Sequence, residues 1–246
     1  MKPLLLIAIR DEDDAVESEH KAILRFGELA PDELVHVRAE QADLPPLSLD
    51  DFSGIIIGGS PFNTSDLDKS FRQTAVEAQL GALVDEAIAN DFPVLGICYG
   101  VGLVTQRLGG TVDRQFGESP GAVRVRLTQA SAFDPLFAGV PDEFCAFTGH
   151  KEACSLLPPE AVLLATGDDC PVQAYRVGRN VYVTQFHAEL DAPALEERLR
   201  IYQNHGYFDP SELDRLVNEA HEAGVGPEPG RILANFCARA RALSQG

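Results

Sequence analysis

The stretch Pro93-Val94-Leu95-Gly96-Ile97-Cys98-Tyr99-Gly100-Val101-Gly102 decides the fold. It opens with a short apolar run, reaches a Gly-Ile-Cys-Tyr-Gly pentapeptide and continues in a pattern suited to a helix. A short apolar run bounded by turn residues reads as a strand buried on both faces. A G-x-nucleophile-x-G pattern where such a strand turns into a helix is a nucleophile elbow, here with cysteine in the nucleophile's place. The glycines permit a tight turn that lifts the side chain out of the sheet. The helix N-terminus behind it offers backbone N–H groups and a positive dipole end, which lower a thiol pKa and stabilise an oxyanion. The competing reading is a buried cysteine flanked by packing glycines. Placement at a strand-to-helix junction favours the nucleophile.

On the N-terminal side the same alternation repeats. Residues 4–9 read as a buried strand, 15–30 as an amphipathic helix and 34–37 as a strand. Residues 54–57 form a buried strand running into the turn Gly58-Gly59-Ser60-Pro61, and 71–90 form a long helix. Alternation of this kind predicts an α/β fold, a mainly parallel twisted sheet flanked by helices. On the C-terminal side the character changes. Strand-like runs at 111–113, 123–127, 143–147, 162–165, 172–177 and 180–185 are expected to add antiparallel pairs. Helical patterns at 193–204, 210–223 and 230–243 form a C-terminal extension. No linker splits the chain, so residues 1–246 are read as a single domain with a core of about 1–192.

Composition excludes several classes. The chain has 246 residues, 45% of them hydrophobic, and a formal charge of −18. So acidic a surface does not suit nucleic acid or an anionic membrane. No apolar run approaches the roughly 20 residues of a membrane span. The run at 4–9 is too short for a signal-peptide core. The five cysteines, at 98, 145, 154, 170 and 237, form no CxxC pair, so neither a zinc site nor a disulfide framework is signalled. A cytoplasmic protein with reduced thiols is the expectation.

A nucleophilic cysteine needs a base, and the base an orienter. Of the six histidines, His20, His36, His205 and His221 read as surface or packing residues. His187 ends the strand-like run Tyr182-Val183-Thr184-Gln185-Phe186 and is followed by Ala188 and Glu189. In extended backbone, residues i and i+2 share a face, so Glu189 is placed to accept a hydrogen bond from one ring nitrogen while the other faces Cys98. Such an arrangement fixes the tautomer. A surface His-x-Glu pair is the plainer reading of these residues alone. An α/β-hydrolase would place its acid before the final histidine, which disfavours that fold.

Taken together, the Gly58-Gly59-Ser60-Pro61 loop, the Gly96-to-Gly100 elbow, Leu108-Gly109-Gly110 and Gln185-Phe186-His187-Ala188-Glu189 resemble the class I, triad-type glutamine amidotransferases. Arg114-Gln115-Phe116-Gly117 and Gly149-His150-Lys151-Glu152 look like intermediate segments of that family. The resemblance covers roughly residues 50–192 and is closest to the glutaminase half of GMP synthase and its stand-alone relatives. It implies a flavodoxin-like fold and hydrolysis of the glutamine side-chain amide. In that scheme Cys98 attacks, His187 shuttles protons and Glu189 orients His187. The oxyanion is held by backbone N–H groups of Gly59 and Tyr99, with Gly58 in the same substrate-binding loop. A γ-glutamyl thioester forms, and glutamate and ammonia leave. No metal or organic cofactor is implied.

Two departures matter. Ala188 stands where the family usually has proline. Gly102 stands where it commonly has a glutamine that holds the substrate's amino-acid end. A relaxed pocket would admit other γ-glutamyl compounds, so a γ-glutamyl peptide or amide hydrolase with the same triad is the runner-up. A catalytically silent partner-binding module is the third reading, and the intact Cys98, His187 and Glu189 weigh against it. A related cysteine protease is disfavoured, because such enzymes often follow the nucleophile with histidine and here that residue is Tyr99. His150 reads as a supporting or packing residue. Neither a G-x-x-x-x-G-K-[S/T] phosphate loop nor an S-G-G-x-D-S stretch occurs. Ammonia would therefore pass to a separate synthetase. The helical extension would pack on the core, form a homodimer surface or dock that partner.

Overall fold

The computed structural model describes residues 2–245. Its strands are β1 (Leu4–Ala8), β2 (Leu34–Arg38), β3 (Gly54–Ile57), β4 (Val94–Ile97), β5 (Thr111–Asp113), β6 (Glu118–Leu127), β7 (Glu143–His150), β8 (Ala153–Leu156), β9 (Val162–Gly167), β10 (Ala174–Val177) and β11 (Val181–Thr184). Its α-helices are α1 (Asp13–Phe26), α2 (Phe71–Ala89), α3 (Tyr99–Arg107), α4 (Ala192–Tyr202), α5 (Leu213–Glu222) and α6 (Glu228–Leu243). Nine strands form one sheet in the order β2-β1-β3-β4-β11-β10-β9-β6-β7, and β5 pairs with β8 in a small second sheet. The half from β2 to β11 is parallel and the half from β11 to β7 is antiparallel.

Every residue of β1, β3, β4 and β11 is buried, which is why these runs are apolar rather than alternating, with Thr184 at the end of β11 the exception. Successive side chains on a strand point to opposite faces, and the core divides accordingly. Leu4, Leu6, Ile56, Leu95 and Ile97 pack with Ile23 of α1 and Ile232, Leu233 and Phe236 of α6. Leu5, Ile7, Ile55, Ile57 and Val94 pack with Val76, Leu80 and Val84 of α2 and Val101 and Val104 of α3. Thus α6 completes one of the two helical layers. A third cluster joins Phe147 of β7 to Leu195 and Leu199 of α4 and Leu216 and Val217 of α5.

Differences from the expected elements are local. The first helix stops at Phe26, where the N–H of Gly27 closes on Ile23 O and Glu28 adopts a positive φ of 52°. Strands β6 and β7 run longer than their apolar segments because they pair with each other as far as Glu118 and His150. Strand β8 was not expected. Its Ala-Cys-Ser-Leu sequence carries no alternation, and pairing with β5 rather than propensity makes it a strand. Among the described residues no helix is long and apolar enough to cross a membrane.

Candidate active site

In a parallel sheet, residues that follow the strands collect at one edge, beyond the carboxyl ends, where ligand crevices form. Here that edge gathers Arg10 after β1, Gly58 and Gly59 after β3, Cys98 after β4 and Gln185 and His187 after β11. One pocket is lined by Arg10, Gly59, Cys98, Tyr99, Gln185 and His187 together with residues of the β7–β8 turn and of α4.

Cys98 is the N-cap of α3 with φ 53° and ψ −86°, a left-handed residue that reverses the chain between strand and helix. Its N–H donates to Thr184 O of the neighbouring β11 at 2.7 Å. A Cβ on Gly96 would lie 3.0 Å from Gly100 Cα and 3.2 Å from its carbonyl carbon, so the strand side of the elbow needs its glycine for this close approach, whereas a Cβ at Gly100 would meet nothing within 4 Å. The thiol is only partly exposed. Burial pushes it up to about 12, against the opposing pull of the Arg10 guanidinium. The expected lowering by the helix N-terminus is therefore not the net outcome, because desolvation of the thiolate outweighs it.

His187 sits 6% exposed. Its N–H donates to Phe147 O at 2.8 Å, and its Nδ1–H donates to Glu189 Oε1 at 2.7 Å. The two side chains meet, but not across extended backbone. Only an isolated antiparallel bridge to Phe147 precedes a turn at residues 188–189, and that turn brings Glu189 beneath the ring. With Nδ1 donating, the Nε2 lone pair is free to take a proton. Burial lowers the His187 pKa below its usual value, with Arg198 and Arg10 adding to the effect and Glu189 opposing it. Burial alone would raise the Glu189 carboxyl. The imidazole and the guanidinium groups of Arg198 and Arg10 outweigh it and hold the group well below the usual carboxylate range.

Arg198 and Arg10 were not singled out in the sequence. Arg198 reaches in from α4 and places Nη1 3.2 Å from both Glu189 Oε1 and His187 Nδ1. Since Nδ1–H already donates to Glu189, the Arg198 donor belongs to the carboxylate. Arg10 follows β1, is buried and bonds Glu19 Oε1 through Nε at 2.8 Å. The same carboxylate oxygen accepts the Gly59 N–H at 3.3 Å. A Cβ on Gly59 would fall 2.3 Å from Arg10 Nη2 and 3.2 Å from His187 Cε1, which places the Gly58–Gly59 loop directly against the histidine. Tyr99 opens α3, where a first-turn N–H has no intrahelical acceptor. An arginine after a buried strand, and another inside a charged helix, carry no local signal that would distinguish them from surface arginines.

His150 ends β7 and lines the same pocket. Its Nδ1 bonds Glu152 O and its Nε2 bonds Glu118 Oε2, both at 2.8 Å. Glu118, His150 and Cys170 each place one potential metal-ligating atom within 4.8 Å of the others. The first two already hydrogen-bond each other, and the amide of Gln173 donates to Glu118 at 2.9 Å.

A family model described as "Glutamine amidotransferase class-I" matches residues 14–208. A GMP synthase [glutamine-hydrolyzing] of Lactobacillus delbrueckii subsp. bulgaricus is 30% identical over 138 residues, 56% of this chain and 24% of that protein. The chain thus spans about a quarter of the length of that relative. A shorter relative from Thermoplasma acidophilum, named as one subunit of a glutamine-hydrolyzing GMP synthase, is 28% identical over 151 residues, 61% of this chain and 69% of that protein. The fold is shared with a solved glutamine amidotransferase of Thermotoga maritima, at a TM-score of 0.78, 19% identity and 98% coverage of both chains. With a family model covering most of its length, the chain belongs to the class I glutamine amidotransferases, enzymes built around a cysteine nucleophile that acts on an amide.

Proposed function

We propose that this protein hydrolyses the side-chain amide of glutamine and passes the ammonia to a separate acceptor enzyme. The observation that carries the reading is the convergence of an elbow cysteine, Cys98, with a buried His187–Glu189 pair on one pocket. In the ground state the thiol and imidazole are both neutral, since burial raises the first and lowers the second. His187 takes the thiol proton as the sulfur attacks the amide carbon, so that separated charges form only as the C–S bond forms. Tyr99 N–H and, once it leaves Glu19, Gly59 N–H receive the oxyanion. His187 then protonates the departing nitrogen, the C–N bond breaks and ammonia leaves a γ-glutamyl thioester. Water attacks the thioester and gives its proton to His187, which returns it to the sulfur as glutamate departs. The likeness to a relative whose name makes it one subunit of a GMP synthase supports a synthetase on another chain.

A second reading keeps the triad and changes the leaving group. Tyr202, Tyr207 and Phe208 from the C-terminal extension line the pocket, and their apolar surface would accommodate an amine larger than ammonia. Glutamate release by the purified protein from glutamine and from γ-glutamyl anilides decides between them. Turnover of glutamine with little anilide cleavage is expected, and the opposite ratio would install the second reading.

In this scheme Arg198 is a positioning residue. It anchors Glu189 and, being a cation beside the ring, disfavours imidazolium. Glu189, Arg198 and Arg10 are the charged groups that set His187. Neutral His187 is the active form, so activity falls as pH drops through its pKa. Arg198→Gln is expected to raise that pKa and move the acidic limb of the kcat/KM profile to higher pH. An unmoved limb would show that the guanidinium is not felt at the ring.

A further inference from the structure

The antiparallel half of the sheet brings together three side chains that lie far apart in sequence. Glu118 opens β6, His150 closes β7 and Cys170 sits in the turn between β9 and β10. A carboxylate oxygen, a ring nitrogen and a sulfur lie within 4.8 Å of one another, and among the described residues no other three His, Cys, Asp or Glu side chains converge in this way. All three are buried, and the hydrolytic scheme uses none of them. Their hydrogen bonds contain a mismatch. His150 Nδ1 lies 2.8 Å from Glu152 O, a carbonyl that can only accept, so Nδ1 carries a proton. A neutral ring then presents a bare lone pair at Nε2, and Nε2 faces Glu118 Oε2 at 2.8 Å. A lone pair and a carboxylate oxygen repel at that distance unless a cation lies between them. One extra proton, shared by His150 and Glu118, is the smallest cation that serves. Gln173 Nε2 donates to the same carboxylate oxygen at 2.9 Å, which leaves Gln173 Oε1 buried without a partner.

We propose that Glu118, His150 and Cys170 form a zinc site, in which the metal replaces that shared proton and clamps β6, β7 and the β9–β10 turn together. The charges balance. A thiolate and a carboxylate bring two negative charges to a divalent ion, so the loaded cluster is neutral, as a buried site requires. Binding releases the thiol proton and the shared proton, forms Zn–S, Zn–N and Zn–O bonds and changes no oxidation state. Cys170 gives up only a weak S–H contact to Val172 O at 3.5 Å. The donors also select the metal, since a thiolate with an imidazole suits zinc and not magnesium or calcium. The surroundings fit as well. A metal-binding histidine commonly donates its other N–H to a backbone carbonyl, which fixes the tautomer, and Glu152 O already plays that part. A half-turn of the Gln173 amide puts Oε1 where Nε2 now stands and offers a fourth donor. Ligand atoms of a tetrahedral zinc stand roughly 3.3–3.6 Å apart. The nitrogen–oxygen pair must therefore open slightly and the sulfur draw in. His150 lines the pocket, which gives an ion a way in from solvent.

The test titrates the chelator-treated full chain with cobalt(II), a spectroscopic stand-in for zinc, and then displaces the cobalt with zinc. One equivalent should bind, with a thiolate-to-cobalt charge-transfer band in the near ultraviolet and the visible bands of a tetrahedral ion, and zinc should displace it with a submicromolar Kd. Cys98→Ala should keep the charge-transfer band. Cys170→Ser should lose it and bind zinc about a hundredfold more weakly or worse, since even an outer-shell contact is worth up to that much. Glu118→Gln tests the charge balance in a chain that folds without any extra cation, because its amide N–H can donate to His150 Nε2. Its metal-free melting temperature should match or exceed that of wild type, while the rise that zinc gives wild type should vanish. A wild-type chain with no charge-transfer band or only micromolar zinc binding would overturn the proposal. So would a band that is lost with Cys98 and kept without Cys170, or an undiminished zinc response in Glu118→Gln. None of these readouts involves turnover, so the outcome is independent of what the pocket hydrolyses.

Discussion

Cys98→Ala is expected to reduce glutamate release from glutamine by about four orders of magnitude or more, since removal of a covalent nucleophile leaves only binding and oxyanion stabilisation. The fold should survive. The thiol makes no hydrogen bond stronger than the 3.9 Å approach of the Gln185 amide, and alanine fits wherever cysteine does. A thermal melt within a few degrees of wild type, alongside lost turnover, is the expected pair of results. Retained turnover would move the nucleophile elsewhere, and the remaining cysteines offer poor substitutes. Cys154, Cys170 and Cys237 are buried, and Cys145 lies within β7.

The second large effect belongs to His187. In the proposed scheme His187→Ala removes both the acceptor of the thiol proton and the donor to the leaving nitrogen, and a loss of about a thousandfold or more in kcat is expected. The proposed base carries a heavy burden, because burial raises the thiol instead of pre-ionising it. Alkylation of Cys98 by iodoacetamide should therefore slow in the same variant at neutral pH. Glu189→Gln should cost less than His187→Ala yet remain severe. An amide at that position no longer balances the imidazolium formed in the transition state, and it leaves Arg198 without its buried anion. Turnover by Glu189→Gln at the wild-type rate would require another orienting acid.

How much of this was legible beforehand follows the range of each interaction. The parallel half of the sheet was readable because strands buried on both faces are apolar throughout, as in Gly54–Ile57 and Val94–Ile97. Cys98 was readable because its backbone demand is local, a left-handed residue between glycines. The His187–Glu189 contact was anticipated through extended geometry, whereas a turn supplies it. The features without a local sequence signal come from distant parts of the chain. Arg10, Glu19 and Arg198 meet at the pocket only after β1, α1 and α4 have packed, and burial rather than residue type gives them their influence. The net effect on the Cys98 thiol has the same origin. A helix N-terminus is visible in sequence, but the mass of protein that desolvates the thiolate is not.

Labelling with a diazoketone analogue of glutamine, followed by peptide mapping and a parallel assay of glutamate release, tests the central claim most directly. The account predicts one equivalent of label on the peptide carrying Cys98, with activity lost in step and both effects slowed by excess glutamine. Label on Cys145, Cys154, Cys170 or Cys237, or activity that survives full modification of Cys98, would contradict it.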